Sequence, residues 1–157
     1  MRHTSKGQRF ESIIARADAA LENNYCIEAS TLYYALLEER LISIFEKFNI
    51  RLNKQQKMFY CIDEIKKFIQ NGKSVTLSNG MQIDVGPLLG KEFDIQLLDD
   101  MDNWRNRRNS VIHDFAKQSI PYSDVEDWAE EGKNLVRKFN SGTMRLKRNL
   151  QKYDPSI

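Results

Sequence analysis

The chain has 157 residues, of which 41% are hydrophobic and 29% are charged, and its formal net charge at pH 7 is +2. This composition is far from that of a disordered chain, and the length suits one domain that buries most of its apolar surface. No stretch approaches the ~20 uninterrupted apolar residues that span a bilayer, and the first residues lead into no hydrophobic signal core. We therefore expect a single cytoplasmic domain over 1–157, with its core at about 10–139.

Three segments in the first half of the chain repeat apolar residues at helical spacing. The first runs from about Arg9 to Glu22 and ends at the break Asn23-Asn24. The second keeps a 3.6-residue period from Ile27 to Phe48. The third runs from Met58 to Ile69 and stops at Asn71-Gly72, a typical helix end. The sequence predicts three helices here.

The hydrophobic period then changes to two. Residues 74–77 and 81–85 alternate around Asn79-Gly80, and Asn-Gly between alternating runs is a strong hairpin signal. This pattern predicts a small β-hairpin at about 74–85, inserted between helices. Gly86-Pro87 and Gly90 are expected to separate the hairpin from the next helix.

Two more helices are predicted in the second half. One begins near Lys91–Ile95 and ends before Ile120-Pro121, because a residue that precedes proline resists the α region. The other starts at the capping signal Ser123 to Glu126 and runs through Phe139, with Ser141-Gly142 as a candidate interruption. The predicted fold is all-α, a bundle of about five helices with one small inserted hairpin.

The C-terminal segment is basic. From Lys133 to Lys152 there are seven lysines and arginines and no acid. Arg2, Lys6 and Arg9 make the other end basic as well. We expect residues 140–157 to form a basic extension, which either lies along phosphates or forms a solvated helix surface.

Histidine is the side chain best suited to acid–base chemistry near neutral pH, and the chain has two. His3 lies in an expected mobile terminus, and His113 lies in a predicted helix. A lone helical histidine is usually structural, but three arginines precede His113, at Arg105, Arg107 and Arg108. Planar guanidinium groups suit phosphate oxygens, so the cluster favours phosphate chemistry over a simple charged surface.

Arg108 falls at the centre of the apolar stripe of its predicted helix. A buried charge without partners costs several kcal/mol, so Arg108 must meet an acid, a polar cleft or a partner chain. Glu38, which flanks the apolar face of the second helix, is the candidate acid, and Glu39 points further away.

Arg108 and His113 are five positions apart, about 140° around a straight helix. Asn109 and His113 do share a face. Two arrangements would bring the arginine and the histidine together: a composite site at a two-fold axis between two chains, or a local kink.

The segment Arg108-Asn109-Ser110-Val111-Ile112-His113 resembles the R-x4-H motif of HEPN ribonucleases. The helices before it, with residues 21–29 at their junction, are similar to the first hairpin of that family. The similarity in architecture covers about Phe10 to Phe139. Where one subgroup, paired with a nucleotidyltransferase antitoxin, has a tyrosine two residues after the histidine, this chain has Phe115, which rules out adenylylation there.

The resemblance implies a helical bundle that dimerises to form one metal-independent endoribonuclease site, in a family of toxins and abortive-infection effectors. By the same resemblance Arg108 would stabilise the transition-state phosphate, His113 would act as general acid or base, and Asn109 would position substrate or histidine. Arg105 and Arg107 are expected to bind substrate. An antitoxin or regulatory protein is an expected partner, and no cofactor is expected.

A non-catalytic helical module that binds RNA, a nucleotide or another protein is the alternative function. Asp99, Asp100 and Asp102 precede the arginines and suggest a metal site, but their spacing matches no strong ligand signature. We expect no metal.

The two tryptophans and the two cysteines are expected in or near the core. Trp104 and Trp128 fall in apolar periodicities, so core packing is favoured over base stacking. Cys26 and Cys61 have no metal-ligand spacing and are expected to be reduced thiols in or near the core.

Overall fold

The computed structural model describes residues 5–53 and 58–157, so Arg2 and His3 lie outside the described residues. The elements, in chain order, are α1 (Lys6–Glu22), α2 (Cys26–Lys47), α3 (Met58–Asn71), β1 (Ser74–Thr76), β2 (Gln82–Asp84), α4 (Gly86–Glu92), α5 (Ile95–Ala116) and α6 (Tyr122–Leu150). The prediction of an all-α fold with one small hairpin is confirmed. Within the described ranges, no helix is both long enough and apolar enough to span a bilayer.

The chain divides into two compact units. Unit 1 comprises the residues up to Leu36 together with Asn103–Val136, and unit 2 comprises Leu37–Asp102 together with Arg137–Ile157. Helices α2, α5 and α6 each contribute residues to both units. That the whole chain folds as one domain stays a prediction.

In unit 1, helix α1 begins with a capping box, three residues before its predicted start at Arg9. The Ser5 hydroxyl accepts from the Gln8 amide at 3.1 Å, and the Gln8 side chain accepts from the Ser5 amide at 3.0 Å. The helix ends at Glu22, and Asn24 then takes a left-handed conformation with φ of 65°. This is the break that Asn23-Asn24 predicted, since asparagine tolerates that conformation.

A pair of tryptophans joins α5 to α6 in unit 1. The rings of Trp104 and Trp128 stack with centroids 5.0 Å apart, and both side chains are buried. The indole N–H of Trp104 donates to the carbonyl of Trp128 at 2.8 Å, and that of Trp128 donates to the carbonyl of Trp104 at 3.3 Å. Both polar atoms are thereby satisfied, as buried indoles require. The predicted core role of the tryptophans is confirmed.

In unit 2 the hairpin forms as predicted. Its strands are antiparallel with Val75 opposite Ile83, and Gly80 in the turn has φ of 85°, which glycine adopts without strain. The turn is bound to the C-terminal end of the chain. Asn79 donates its amide to Asp154 at 3.2 Å and its side-chain N–H to the carbonyl of Tyr153 at 2.9 Å. The hairpin therefore anchors the residues that follow α6.

The region after the hairpin differs from the prediction. Gly86-Pro87 begins helix α4 instead of separating elements, because proline fits the first turn, where its missing N–H has no helical partner. Gly90 lies inside this helix. Helix α5 then starts at Ile95, where the Asp94 carboxylate accepts from the Leu97 amide at 2.6 Å.

Helix α6 also differs from the prediction, since it passes through Ser141-Gly142 without interruption and ends at Leu150. Gly142 is buried, and a Cβ there would lie 2.4 Å from a ring carbon of Phe93. The glycine thus lets the Phe93 ring approach the helix. Burial continues to Leu146, Leu150 and Asp154, so the expected extension 140–157 contributes to the core of unit 2.

Both cysteines are free and buried, as predicted. Burial, together with the nearby charge of Glu38, raises the pKa of the Cys61 thiol to about 11. A thiol in this environment stays protonated near neutral pH and is a poor nucleophile.

Candidate nucleic-acid site on helix α5

Arg108 lies half-buried on α5, and its guanidinium stacks over an aromatic ring of α2. Its Cζ atom is 4.5 Å from the centroid of the Tyr34 ring. Tyr34 in turn contacts Trp104, with the two ring centroids 6.4 Å apart. Stacking binds the face of the guanidinium and leaves its in-plane N–H donors for other groups. In the described parts of the chain, no carboxylate forms an ion pair with Arg108.

The predicted acid for Arg108 was Glu38, which belongs to unit 2. Glu38 is half-buried, and its charge contributes to the raised pKa of Cys61. The pairing of Arg108 with Glu38 stays a prediction, and the contact that the structure shows for Arg108 is with Tyr34.

His113 lies exposed in the last turn of α5. The helix runs without interruption from Ile95 to Ala116, so no break lies between Arg108 and His113. The angle of about 140° between the two side chains therefore remains. One chain presents Arg108 at a half-buried position and His113 on the solvent face, and does not bring them together.

Asn109 is exposed and lies one turn before His113, so the two side chains share the solvent face of α5. Arg105 is half-buried, and its guanidinium donates to the side-chain oxygen of Asn106 at 2.8 Å. Polar groups thus occupy the surface between the arginine side of the helix and His113.

Arg107 has different surroundings from the other two arginines. It forms an ion pair with Glu131 of α6 and lines a cleft of about 340 Å³ in unit 1. Asp114, Asp124 and Asp127 line the same cleft. With these carboxylates nearby, a phosphate would be repelled, so Arg107 is the least suited of the three arginines to its predicted role in binding substrate.

The apolar stripe of α5 is less buried after Trp104 than before it. Val111 packs partly against the small cluster formed by Cys26, Val125 and Ala129. Ile112 is half-buried, and Phe115 is 37% exposed. Ile112 and Phe115 therefore form a partly exposed apolar surface of unit 1, on the same face of α5 as Arg108.

Phe115, near the end of α5, packs against Tyr122, the first residue of α6. Its ring centroid is 5.8 Å from that of Tyr122, whose hydroxyl donates to the carbonyl of Asn24 and lies 3.5 Å from the Cys26 sulfur. The contact with Cys26 and burial raise the pKa of Tyr122 to about 12. The tyrosine hydroxyl is thereby kept protonated and acts as a structural donor.

Two features of the site were missed from the sequence. Tyr34 was not identified as the neighbour of Arg108, although it lies four residues after Ser30 and three before Leu37, both on the apolar side of α2. The acidic cleft beside Arg107 was also missed. The cluster of acids from Asp124 to Glu131 was the available signal for it.

No metal centre is evident in the described ranges, where no group of three or more histidine, cysteine, aspartate or glutamate side chains is arranged to hold an ion. No family model matches the chain, and neither a curated protein nor a solved structure is found to be similar to it.

Proposed function

We propose that the protein is a metal-independent endoribonuclease that acts as a homodimer with a composite site. The observation that carries the proposal is the state of Arg108 on the helix that also exposes His113. Arg108 is half-buried and stacked on Tyr34, and no carboxylate of the described residues forms an ion pair with it. A stacked guanidinium with unused in-plane donors is suited to bind phosphate oxygens. The resemblance of this segment to the R-x4-H motif supports the same chemistry.

The geometry of α5 supports the composite arrangement. Arg108 and His113 diverge within one chain, so in the proposed site one of them comes from a second chain. Ile112 and Phe115 lie on the stripe of Arg108 and offer apolar surface on which a second copy would pack. A copy seated there would bring its own helix beside Arg108.

In the proposed reaction, the RNA 2′-hydroxyl attacks the adjacent phosphorus and forms a 2′,3′-cyclic phosphate. One His113 takes the proton of the 2′-hydroxyl, and solvent water gives a proton to the leaving 5′-oxygen. The two-fold axis repeats this pairing of one chain's Arg108 with the other chain's His113, so the proposed dimer has two such sites. Arg108 stabilises the charge that develops on the phosphoryl oxygens, and Asn109 orients substrate or histidine. Single-stranded RNA is the proposed substrate, since in-line attack needs a nucleotide free of helical geometry.

The experiment is cleavage of a labelled mixed RNA pool in EDTA by the wild type, Arg108→Ala, His113→Ala and the control Lys117→Ala. Lys117 is exposed just beyond α5 and controls for the loss of a nearby cation. We expect cyclic-phosphate ends from the wild type and the control, and none from folded His113→Ala. Circular dichroism checks the fold of each variant, because Arg108 also packs on Tyr34.

A non-catalytic module is the second candidate, and the acidic cleft beside Arg107 favours it. A lining that combines carboxylates with Val111, Ile120 and Trp128 suits a basic segment of a partner protein better than RNA. A wild-type protein that cleaves no RNA in the pool would favour this function. A role as a toxin or phage-defence effector, controlled by an antitoxin or regulator, is part of the proposal and comes from the family resemblance.

A further inference from the structure

A second cleft lies in unit 2, with a volume of about 580 Å³. This volume is within the range of roughly 300–1,000 Å³ that is usual for small-ligand sites. One wall comes from α6 and carries Arg137, Lys138, Ser141 and Arg145. A second wall comes from the start of α5 and the residues just before it, and its acids are Glu92, Asp94 and Asp100. The cleft therefore has a basic side and an acidic side.

The basic wall is arranged by helix geometry and by a buried carboxylate. Arg137, Ser141 and Arg145 are four residues apart in succession, so they share one face of α6. The Nε atom of Arg145 donates to Glu92 at 2.6 Å, and the side chain of Glu92 is only 6% exposed. Asn149 donates to the other oxygen of Glu92 at 3.0 Å.

This arrangement fixes the position of Arg145 and leaves most of its N–H donors available to a ligand. The bond to Glu92 uses one of the five guanidinium N–H donors, and the Arg145 side chain remains 48% exposed. Glu92, the carboxylate that compensates this charge, also lines the cleft, but its side chain is only 6% exposed and its two oxygens already accept from Arg145 and Asn149. Arg145 thus presents donors to the cleft, beside the cations of Arg137 and Lys138 and the hydroxyl of Ser141.

The acidic wall presents acceptors. One oxygen of Asp94 caps α5 through the Leu97 amide, and one oxygen of Asp100 accepts from the Gln96 side chain at 2.8 Å. A carboxylate has about four lone-pair sites, so each still has acceptor capacity. Such acceptors suit the amino group and ring N–H of a nucleobase.

The lining excludes other classes of ligand. Among the lining residues in the described part of the chain, Leu97 is the one apolar side chain and none is aromatic, so a protein partner would find no hydrophobic anchor. The three cationic side chains of the lining equal its three carboxylates in number, so the cleft has no excess negative charge to attract a metal ion. A group with phosphate at one end and hydrogen-bond donors at the other fits both walls.

We propose that this cleft binds one nucleotide, with its phosphate on the α6 wall and an amino-bearing base against Asp94 and Asp100. The nucleotide is either a free mononucleotide or one unit of a single-stranded RNA. If the nucleotide is one unit of an RNA strand, the cleft gives the substrate of the proposed nuclease a further binding point. That case rests on the proposed function.

The test measures binding of GMP, UMP and a labelled single-stranded RNA to His113→Ala protein, which lacks the proposed catalytic histidine. We expect Lys138→Ala, combined with Arg137→Gln, to weaken binding at least tenfold, while the control Lys147→Ala on the same helix changes it less than twofold. Lys147 is not among the residues that line the cleft. Asp100→Asn should reduce the preference for GMP over UMP, because it removes one of the two negative charges proposed to face the base and replaces an acceptor oxygen with an NH2 donor.

Each outcome separates the claims. Saturable GMP binding that depends on Arg137 and Lys138 identifies a free nucleotide, and cleft-dependent binding of RNA alone identifies a strand. Binding that is unchanged in folded cleft variants, or no binding of any probe, overturns the cleft proposal. If the wild type cleaves RNA but no probe binds in the cleft, only the cleft proposal is overturned. If a probe binds in the cleft but the wild type cleaves no RNA, only the proposed nuclease activity is overturned.

Discussion

The stacking of Arg108 on Tyr34 predicts a measurable coupling energy between the two residues. A cation over an aromatic ring is worth about 0.5–1 kcal/mol when exposed and about 2 kcal/mol when desolvated. Arg108 is half-buried and its Cζ atom is 4.5 Å from the Tyr34 centroid, so we expect a value near 1 kcal/mol. Tyr34→Leu alone loses more than this, because Tyr34 also contacts Trp104.

A double-mutant cycle isolates the stacking term. The free energy of unfolding is measured in denaturant for the wild type, Tyr34→Leu, Arg108→Met and the double variant. Tyr34→Phe is the matched control, since it keeps the ring and should keep most of the coupling. A coupling energy indistinguishable from zero, or a Phe variant as weakly coupled as the Leu variant, would contradict the stacking account of how Arg108 is held.

Three further predictions concern stability. Gly132→Ala should destabilise the protein by about 1–3 kcal/mol in denaturant unfolding, because the added Cβ would lie 2.4 Å from the Trp104 ring. Gly90→Ala is the matched control, since its Cβ would make only ordinary contacts, whereas Gly80 is unsuitable because its φ is positive. The raised pKa of Cys61, about 11, means that the unfolded chain releases its thiol proton first, so stability is full below pH 9 and falls above it, by roughly 1 kcal/mol at pH 10. Cys61→Ala should lose this part of the pH dependence, and an identical alkaline profile would contradict the shift. Asn79→Ala should increase amide hydrogen exchange in the residues after α6 and leave α3 unaffected, because it removes the side-chain bond to Tyr153.

The helices and the hairpin were largely predictable because their signals are local. Apolar residues at 3.6-residue spacing identified α1, α2 and α3, and Asn79-Gly80 identified the turn. The errors came from glycine and proline. Gly86-Pro87 was interpreted as a break although proline is compatible with a first turn, and Gly142 serves to let Phe93 approach, a long-range contact that spacing along the chain does not reveal.

The site was predictable in part. Helical geometry placed Arg108 on the apolar stripe, apart from His113, and the structure has both features. The partner of Arg108 was not predictable, because the residue pattern of α5 carries no information about which ring of another helix packs against it. The same holds for Arg107, whose ion pair with Glu131 depends on how α6 packs beside α5.

The composite site is the central claim, and complementation between two inactive variants tests it most directly. Arg108→Ala and His113→Ala proteins are unfolded together, refolded as a mixture, and assayed for cyclic-phosphate products in EDTA. If each site takes Arg108 from one chain and His113 from the other, random pairing makes half of the dimers mixed, each with one intact site of two. The account predicts recovery of about a quarter of wild-type activity in the mixture. A mixture as inactive as its components, under conditions in which mixed dimers are shown to form and the wild type is active, would contradict it.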